Sequence, residues 1–172
     1  MNEGGCDPDG RFYCGSMAYD QSTGAGAGSV YRLDPDGAVE VVLPRVTISN
    51  GLEWSPDGTL AYYNDTPTHE ISVFDYSRAT GLTNRRTFTR LPDDGTPDGL
   101  TVDAEGGIWT AVYDGGAVYR YSPEGVLEER IEVPTPKVTA CTFGGDGLDQ
   151  LFITTSQEDV SSPSTQCAAV TT

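Results

Sequence analysis

Short alternating runs of apolar and polar residues, each ended by a turn sequence, follow one another along the chain. The clearest stretch is 99–133, where four such runs are separated by the turn sequences EGG (105–107), DGG (114–116) and PEG (123–125). Alternation with a period of two is typical of β-strands, and turns this close together join antiparallel neighbours. No stretch shows the sustained periodicity of a helix. The pattern therefore predicts an all-β protein.

The four-strand pattern repeats. The same order of strands and turns occurs in GLEWSPDGTLAYYND and the residues after it, in CDPDGRFYCGSMAYD, and in CTFGGDGLDQLFITTS. The first turn of each unit is marked by Gly10, Gly58, Gly106 and Gly147, at spacings of 48, 48 and 41 residues. Four-strand repeats at this spacing are typical of β-propeller blades. A β-sandwich is the alternative, but a sandwich does not require such a repeat.

The strings DPDG and SPDG recur at the turns and bring carboxylates close together, as a calcium loop would. Tight-turn chemistry accounts for them without a metal, because Pro fixes φ, Asp caps its own turn and Gly adopts positive φ. None of the strings fits the longer EF-hand pattern. Asp9, Asp36 and Asp57 are therefore predicted to be turn residues.

Three polar residues share one position of the repeat. Asn2, Asn50 and Asp98 are spaced 48 residues apart and each precedes the first strand of its unit. The first strand of a propeller blade lines the central channel, so these oxygen-bearing side chains should converge on one cation, and a vacant coordination position would make the site catalytic. The alternative is that each residue caps a local turn, as Asn50-Gly51 would. The fourth unit has Thr139 at this position.

The charge balance excludes some classes of partner. With 26 acidic and 10 basic residues the formal charge is −16, which disfavours nucleic acid and anionic membranes and is compatible with cation binding. There is no basic-then-apolar leader and no apolar run long enough to span a bilayer. We therefore expect a cytoplasmic protein.

The cysteines and the one histidine argue against two kinds of site. The four cysteines are scattered without a CxxC pair, so zinc and redox motifs are not indicated, and we expect free, mostly buried thiols. His69 lies in a predicted surface loop without a sign of a Ser or Cys partner. A nucleophile-His-acid triad is therefore not expected.

At these residues the sequence resembles the senescence marker protein/gluconolactonase/regucalcin family. The strings that carry the resemblance are NEGGCDPDGRFYCGSM, ISNGLEWSPDGTLAYYNDT, FDY, PDGLTVDAEGGIWTAVYDGGAVYRYSPEG and TACTFGGDGLDQLFITTS, from residue 2 to about 156 in the family's order. Members of this family are six-bladed propellers that hydrolyse sugar lactones with a divalent metal. The resemblance implies the same fold and chemistry.

The resemblance also implies roles for individual residues. Asn50 and Asp98 would be metal ligands, and Asp98 would also be the base that activates the attacking water. Asn2 and Glu3 stand where the family has Asn-Asp and would contact substrate hydroxyls or the metal-bound water. Glu at position 3 is one methylene longer than the family's Asp.

A Gly-rich insertion follows the second predicted strand. Residues 17–29 contain AYDQSTGAGAG where the third unit has only YDGG. The resemblance implies that a flap here covers the channel mouth and that Met17 and Asp20 border the substrate. A plain long hairpin loop is the alternative.

The sequence departs from the family in extent. At about 45 residues per blade, 172 residues supply 3.5 to 4 four-stranded blades, an incomplete arc of the ring. The family's metal-ligating Glu and substrate-binding Arg, ahead of the Asn-Asp pair, have no counterpart here. We expect the DNA upstream of Met1 to encode the missing blades, the chain alone to be nearly inactive, and self-association through open blade edges.

The C-terminal residues also depart from the family's pattern. We expect residues 1–166 to form the partial propeller as a single domain. Residues 167–172 are expected to be an aberrant tail, produced by a frameshift, a premature stop or a mis-assigned gene boundary.

Three functions fit the sequence. The first is hydrolysis of a small-molecule sugar lactone by a metal-activated water, with Ca²⁺, Zn²⁺, Mn²⁺ or Mg²⁺ as the single metal ion. The second is a related propeller hydrolase acting on phosphotriesters or other lactones. The third is a non-catalytic propeller remnant that binds a divalent ion or a partner protein.

Overall fold

The computed structural model describes residues 1–158 and 168–171, which form four antiparallel sheets. Sheet 1 contains strands β1 (Gly4–Cys6), β2 (Phe12–Gly15), β3 (Gly28–Leu33) and β4 (Val39–Val46). Sheet 2 contains β5 (Ser49–Trp54), β6 (Leu60–Asp65), β7 (Glu70–Ser77) and β8 (Gly81–Arg90). Sheet 3 contains β9 (Thr96–Val102), β10 (Ile108–Tyr113), β11 (Ala117–Tyr121) and β12 (Leu127–Glu132). Sheet 4 contains β13 (Val138–Gly144), β14 (Gln150–Thr155) and β15 (Ala168–Thr171).

Each sheet is a meander in which every strand pairs with the next one along the chain. The first strands, β1, β5, β9 and β13, contact one another in order and therefore form the inner edges of the four sheets. This is the arrangement of consecutive propeller blades, so the predicted fold class, an incomplete β-propeller arc, is confirmed. Two short 3-10 helices, Gln21–Thr23 and Thr66–Thr68, lie between strands.

Alternation along the strands builds an apolar layer between each pair of consecutive sheets. In β6, Tyr62 packs into the layer shared with sheet 3, whereas Tyr63 packs into the layer shared with sheet 1. A third layer, between sheets 3 and 4, contains Trp109 and Leu151. Both faces of sheets 2 and 3 are therefore buried, which explains the near-continuous apolar runs of their central strands.

The predicted turns form, with two corrections. Gly10, Gly58 and Gly106 have positive φ, but Gly147 does not, because the fourth turn uses Gly145 and Leu148 instead. The Asp36 and Asp57 carboxylates each accept a backbone N–H within their own turn, as predicted.

Asp9 lies in its predicted turn, but its carboxylate does not cap that turn. In its turn the carboxylate of Asp7 caps the backbone N–H of Asp9, at 3.0 Å. The Asp9 carboxylate instead accepts the Tyr76 hydroxyl of sheet 2 at 3.0 Å. Asp9 therefore joins two sheets rather than closing its own turn.

The outer face of sheet 1 is not covered by any of the described residues. Phe12, Leu33, Val39 and Val41 are all exposed there, Val39 by 66%. The prediction that the cysteine thiols are mostly buried is corrected here. Cys6, which pairs with Phe12 on this face, is exposed, whereas Cys141 lies buried between sheets 3 and 4. Self-association through open edges stays a prediction.

The remaining expectations concern His69 and the C-terminus. His69 is exposed, as predicted. Cys167 and the predicted domain boundary at residue 166 lie outside the described residues, whereas Ala168–Thr171 pairs with β14. The nature of the tail stays a prediction. Of the helices in the described ranges, none is long and apolar enough to cross a membrane.

Candidate functional site

The predicted ligands lie at β-bulges in the inner strands. In β5, Ser49 pairs with Asp65 and Leu52 with Tyr63, so Asn50 lies in a stretch with one extra residue. The register of β9 shifts in the same way around Asp98. Bulges re-aim side chains and are common next to functional sites. The interpretation of Asn50-Gly51 as a turn is therefore wrong, because both residues lie inside a strand.

A cavity of about 570 Å³ opens beside these bulges. Its wall includes Asn2, Met17, Asn50 and Asp98, four of the six residues that the sequence analysis selected. The structure thus brings together residues from three sheets and from the segment 17–29 at one site. A pocket of this size, with several converging polar groups, can hold a small polar ligand.

Hydrogen bonds fix the orientation of the Asn50 amide. Asn2 Nδ2 donates to Asn50 Oδ1 and to the Ser49 carbonyl, both at 2.8 Å. Asn50 Nδ2 in turn donates to Thr66 Oγ1 at 2.7 Å. An amide oxygen has two lone pairs, so Asn50 Oδ1 keeps one for a further partner. The buried Asn50 side chain is therefore preorganised as an oxygen donor.

The ionised forms of two carboxylates at the site, Asp98 and Glu3, are destabilised by their surroundings. Burial raises the pKa of Asp98 to about 7, with a backbone hydrogen bond from Gly99 opposing the shift. The pKa of Glu3 is also raised to about 7, mainly by burial and further by the negative charges of Asp98 and Glu53. Neutralising this charge with a bound cation would remove the repulsion.

The donors fit a hard divalent cation. Asn50 supplies an amide oxygen and Asp98 a carboxylate, the ligand types that Ca²⁺, Mg²⁺ and Mn²⁺ prefer. Residues 1–158 and 168–171 contain no cluster of three or more His, Cys, Asp or Glu side chains that could hold a metal by themselves. A site here therefore depends on the amide of Asn50 as well as on Asp98.

The other two predicted residues, Glu3 and Asp20, are not among the residues that line the cavity. Glu3 is half-buried and does not belong to the lining residues, although its charge acts on Asp98. Asp20 is exposed, and its carboxylate accepts the backbone N–H and the hydroxyl of Ser22. Tyr19 and Gln21, on either side of Asp20, line the cavity instead. Substrate contacts by Asp20 and Glu3 stay predictions.

Several residues that support the site were not among those predicted from the sequence. Thr66 and Tyr113 line the cavity, and the carboxylate of Asp65 accepts the N–H groups of Thr47 and Ile48, just before Asn50. Thr66 and Asp65 belong to three consecutive polar residues, 64–66, at the end of the apolar strand β6. This run of polar residues at the end of an apolar strand is the sequence feature that would have indicated their role.

The raised pKa of Glu3 predicts how stability depends on pH. Its neutral form contributes stability that is present below about pH 4.5 and is lost as pH rises toward about 7. In EDTA, Glu3→Gln should therefore gain stability relative to the wild type as pH rises through this window. Urea unfolding at four pH values measures the difference.

The matched control for this titration is Glu129→Gln, which makes the same change at an exposed side chain of β12 that makes no hydrogen bond or ion pair among the described residues. Its difference from the wild type should stay nearly constant with pH. A Glu3→Gln difference that is equally constant would contradict the assignment of a desolvated carboxylate.

Comparisons with known proteins agree with this architecture. The family model described as SMP-30/Gluconolactonase/LRE-like region matches residues 1–157. The chain is 38% identical to regucalcin of Bos taurus over 168 residues, covering 94% of this chain and 56% of that protein. It thus spans about half the length of the curated relatives it matches.

Solved structures show the same likeness. One is a regucalcin from Agrobacterium tumefaciens, described as a calcium-binding protein, with a TM-score of 0.85 and 33% identity over 92% of this chain and 54% of that one. Another is a gluconolactonase from Xanthomonas campestris, with a TM-score of 0.74 and 31% identity over 88% of this chain and 52% of that one. On the strength of the family match across residues 1–157, the chain belongs to the SMP-30/gluconolactonase/LRE-like family.

Proposed function

We propose that this protein takes part in metal-dependent hydrolysis of sugar lactones, with Asn50 and Asp98 as ligands of one divalent cation. The observation that carries the proposal is the desolvated Asp98 carboxylate in the same cavity wall as the preorganised Asn50 amide. The similarity to a structure named as a gluconolactonase supports the choice of substrate class.

A divalent cation bound at this site would polarise the lactone carbonyl and lower the pKa of a bound water. Asp98 would accept the proton from the attacking water as the tetrahedral centre forms. In the metal-free protein burial raises its pKa to about 7, and a bound dication would lower that pKa, so that the carboxylate would be ionised and able to accept a proton near neutral pH. No protein nucleophile is required, which agrees with the exposed position of His69.

Polar groups at the rim would orient the polyol substrate. Asn2 keeps its amide oxygen for a sugar hydroxyl, because its NH₂ group donates to Ser49 and Asn50, and Tyr19 and Gln21 supply a phenol and a second amide in the cavity wall. A cytoplasmic location is part of the proposal, and the free thiols of Cys6, Cys14 and Cys141 support it.

Cation binding without catalysis is the second candidate. The Agrobacterium tumefaciens structure is described as a calcium-binding protein, and the two oxygen-bearing side chains in the cavity wall, Asn50 and Asp98, would bind an ion without requiring a reaction. Both candidates predict metal-dependent stabilisation of the fold. Only the first predicts turnover.

The deciding experiment is gluconolactone hydrolysis by the purified chain in EDTA and with Ca²⁺, Mg²⁺, Mn²⁺ or Zn²⁺ added in turn. Because the chain alone is expected to be nearly inactive, we expect turnover that is weak but measurable with at least one ion and absent in EDTA, with a rise in melting temperature for the same ion. Stabilisation by the ion without hydrolysis would favour the second candidate. Neither effect with any of the four ions would contradict both.

A further inference from the structure

We propose that Asn64 and Thr66, at the end of β6, position the two metal ligands relative to each other. Neither residue is assigned as a ligand, and the inference rests on the metal site of the proposed function. Asn64 lies on the strand and Thr66 begins the 3-10 helix that follows it. Both reach across to β9, where Asp98 lies.

Thr66 determines which way the Asn50 amide points. The Thr66 hydroxyl donates to the Pro97 carbonyl at 2.8 Å and accepts from Asn50 Nδ2 at 2.7 Å. A carbonyl can only accept, so the single hydroxyl proton of Thr66 is committed to Pro97. Thr66 must then accept from Asn50, which obliges Asn50 to present its NH₂ group to Thr66 and to turn Oδ1 away from it.

Asn2, on the opposite side of Asn50, requires the same orientation of the Asn50 amide. Asn2 Nδ2 donates to the Ser49 carbonyl, which can only accept, and the same NH₂ group donates to Asn50 Oδ1. The bonds on both sides of Asn50 therefore require the same amide orientation. A flipped amide would lose its bonds to Asn2 and Thr66.

Asn64 holds the backbone of the second ligand. It is fully buried, and its Nδ2 donates to the Asp98 carbonyl at 2.7 Å and to Thr110 Oγ1 at 3.1 Å. Thr66 and Asn64 thus bind the successive carbonyls of Pro97 and Asp98, at the bulge of β9. The end of β6 and the start of the following 3-10 helix thus contact both strands that carry the proposed ligands, although neither element contributes a ligand itself.

The test compares Thr66→Val, which keeps the shape and removes the hydroxyl, with Thr66→Ser, which restores it. Calorimetric titration with Mn²⁺ should show an affinity about 10- to 100-fold lower for Thr66→Val, the usual effect of losing a partner that orients a ligand. Thr66→Ser should bind within about threefold of the wild type. Equal affinities for the wild type and Thr66→Val, or equal losses in both variants, would overturn the proposal.

Thr68→Val is the matched control. Its hydroxyl donates to the Asp65 carbonyl at 2.7 Å in the same 3-10 helix but does not bond to Asn50 or β9. The affinity for Mn²⁺ should therefore be unchanged. A loss equal to that of Thr66→Val would mean that the helix acts only through general stability, and would overturn the proposal.

A second measurement does not need a bound metal. In the metal-free protein, the side-chain NH₂ resonances of Asn50 in an NMR spectrum should shift in Thr66→Val and return toward the wild-type position in Thr66→Ser. Unchanged resonances in Thr66→Val would overturn the positioning role. Shifted resonances in a protein that does not bind Mn²⁺ would instead support the positioning role and contradict the proposed function.

Discussion

Asp98→Asn should lower the affinity for Mn²⁺ by at least about 100-fold and any lactone hydrolysis by about 10² to 10⁴, while making the metal-free protein more stable at about pH 8. The affinity falls because the substitution removes the anionic ligand, and hydrolysis falls because it also removes the base. Stability rises because burial opposes ionisation of this carboxyl, whose pKa is raised to about 7. Calorimetric titration, a gluconolactone assay and thermal melting in EDTA measure the three effects.

Asp36→Asn is the control for this substitution. It makes the same chemical change at an exposed turn, where Asn can still accept the N–H of Ala38. All three measurements should match the wild type. If Asp98→Asn binds Mn²⁺ as the wild type does, or melts at a lower temperature in EDTA, Asp98 is not a desolvated metal ligand.

Gly51→Ala should destabilise the protein by about 1 to 3 kcal/mol and weaken metal binding as well. A Cβ at position 51 would lie 2.6 Å from the Leu100 nitrogen and 3.0 Å from the Asp98 carbonyl oxygen. Backbone cannot move aside as a flexible side chain can, so β5 and β9 must separate. The strands that carry the two proposed ligands would move apart, so the loss of stability should be accompanied by weaker metal binding.

Gly5→Ala provides the comparison. A Cβ there would meet only the Leu52 carbonyl oxygen, at an ordinary contact distance of 3.5 Å, and Gly5 does not have positive φ. Urea unfolding should give a change within about 0.5 kcal/mol of the wild type. Equal stabilities of Gly51→Ala and Gly5→Ala would contradict the tight approach of the inner strands.

The inner-strand register could be predicted from sequence because the repeat is regular there. The residues 48 apart, Asn2, Asn50 and Asp98, do lie near the beginnings of three consecutive inner strands, although Asn50 and Asp98 lie inside their strands and only Asn2 precedes its strand, as predicted. The register fails one strand later. The first turn of sheet 2 closes from Ser55 N–H to Leu60, whereas that of sheet 3 closes from Asp103 N–H to Gly107, one residue sooner.

Because of this one-residue difference, residues 48 apart in β6 and β10 point toward opposite faces of their sheets. Ala61 lies opposite Trp54 in sheet 2, and Ile108 lies opposite Val102 in sheet 3, so Leu60 and Ile108 are not equivalent although they are 48 residues apart. Side chains alternate between faces along a strand, so a shift of one residue exchanges the faces. The turn strings around Gly58 and Gly106 give no warning of the extra residue.

The bulges and the positioning residues could not be predicted from the sequence for a different reason. The residue pair Asn50-Gly51 has the composition of a turn, but its glycine is needed for the approach of β9, not for positive φ. Thr66 contacts Asn50 from the end of another strand, and its position does not follow the repeat. Contacts between strands depend on the packed arrangement of the sheets.

The central claim is that Asn50 and Asp98 hold one divalent cation in the cavity. The most direct test is anomalous X-ray scattering from crystals of the chain grown with millimolar Mn²⁺. We expect one manganese peak in the cavity, within bonding distance of Asn50 Oδ1 and of the Asp98 carboxylate. An empty cavity, or manganese bound only at surface carboxylates, would contradict the claim.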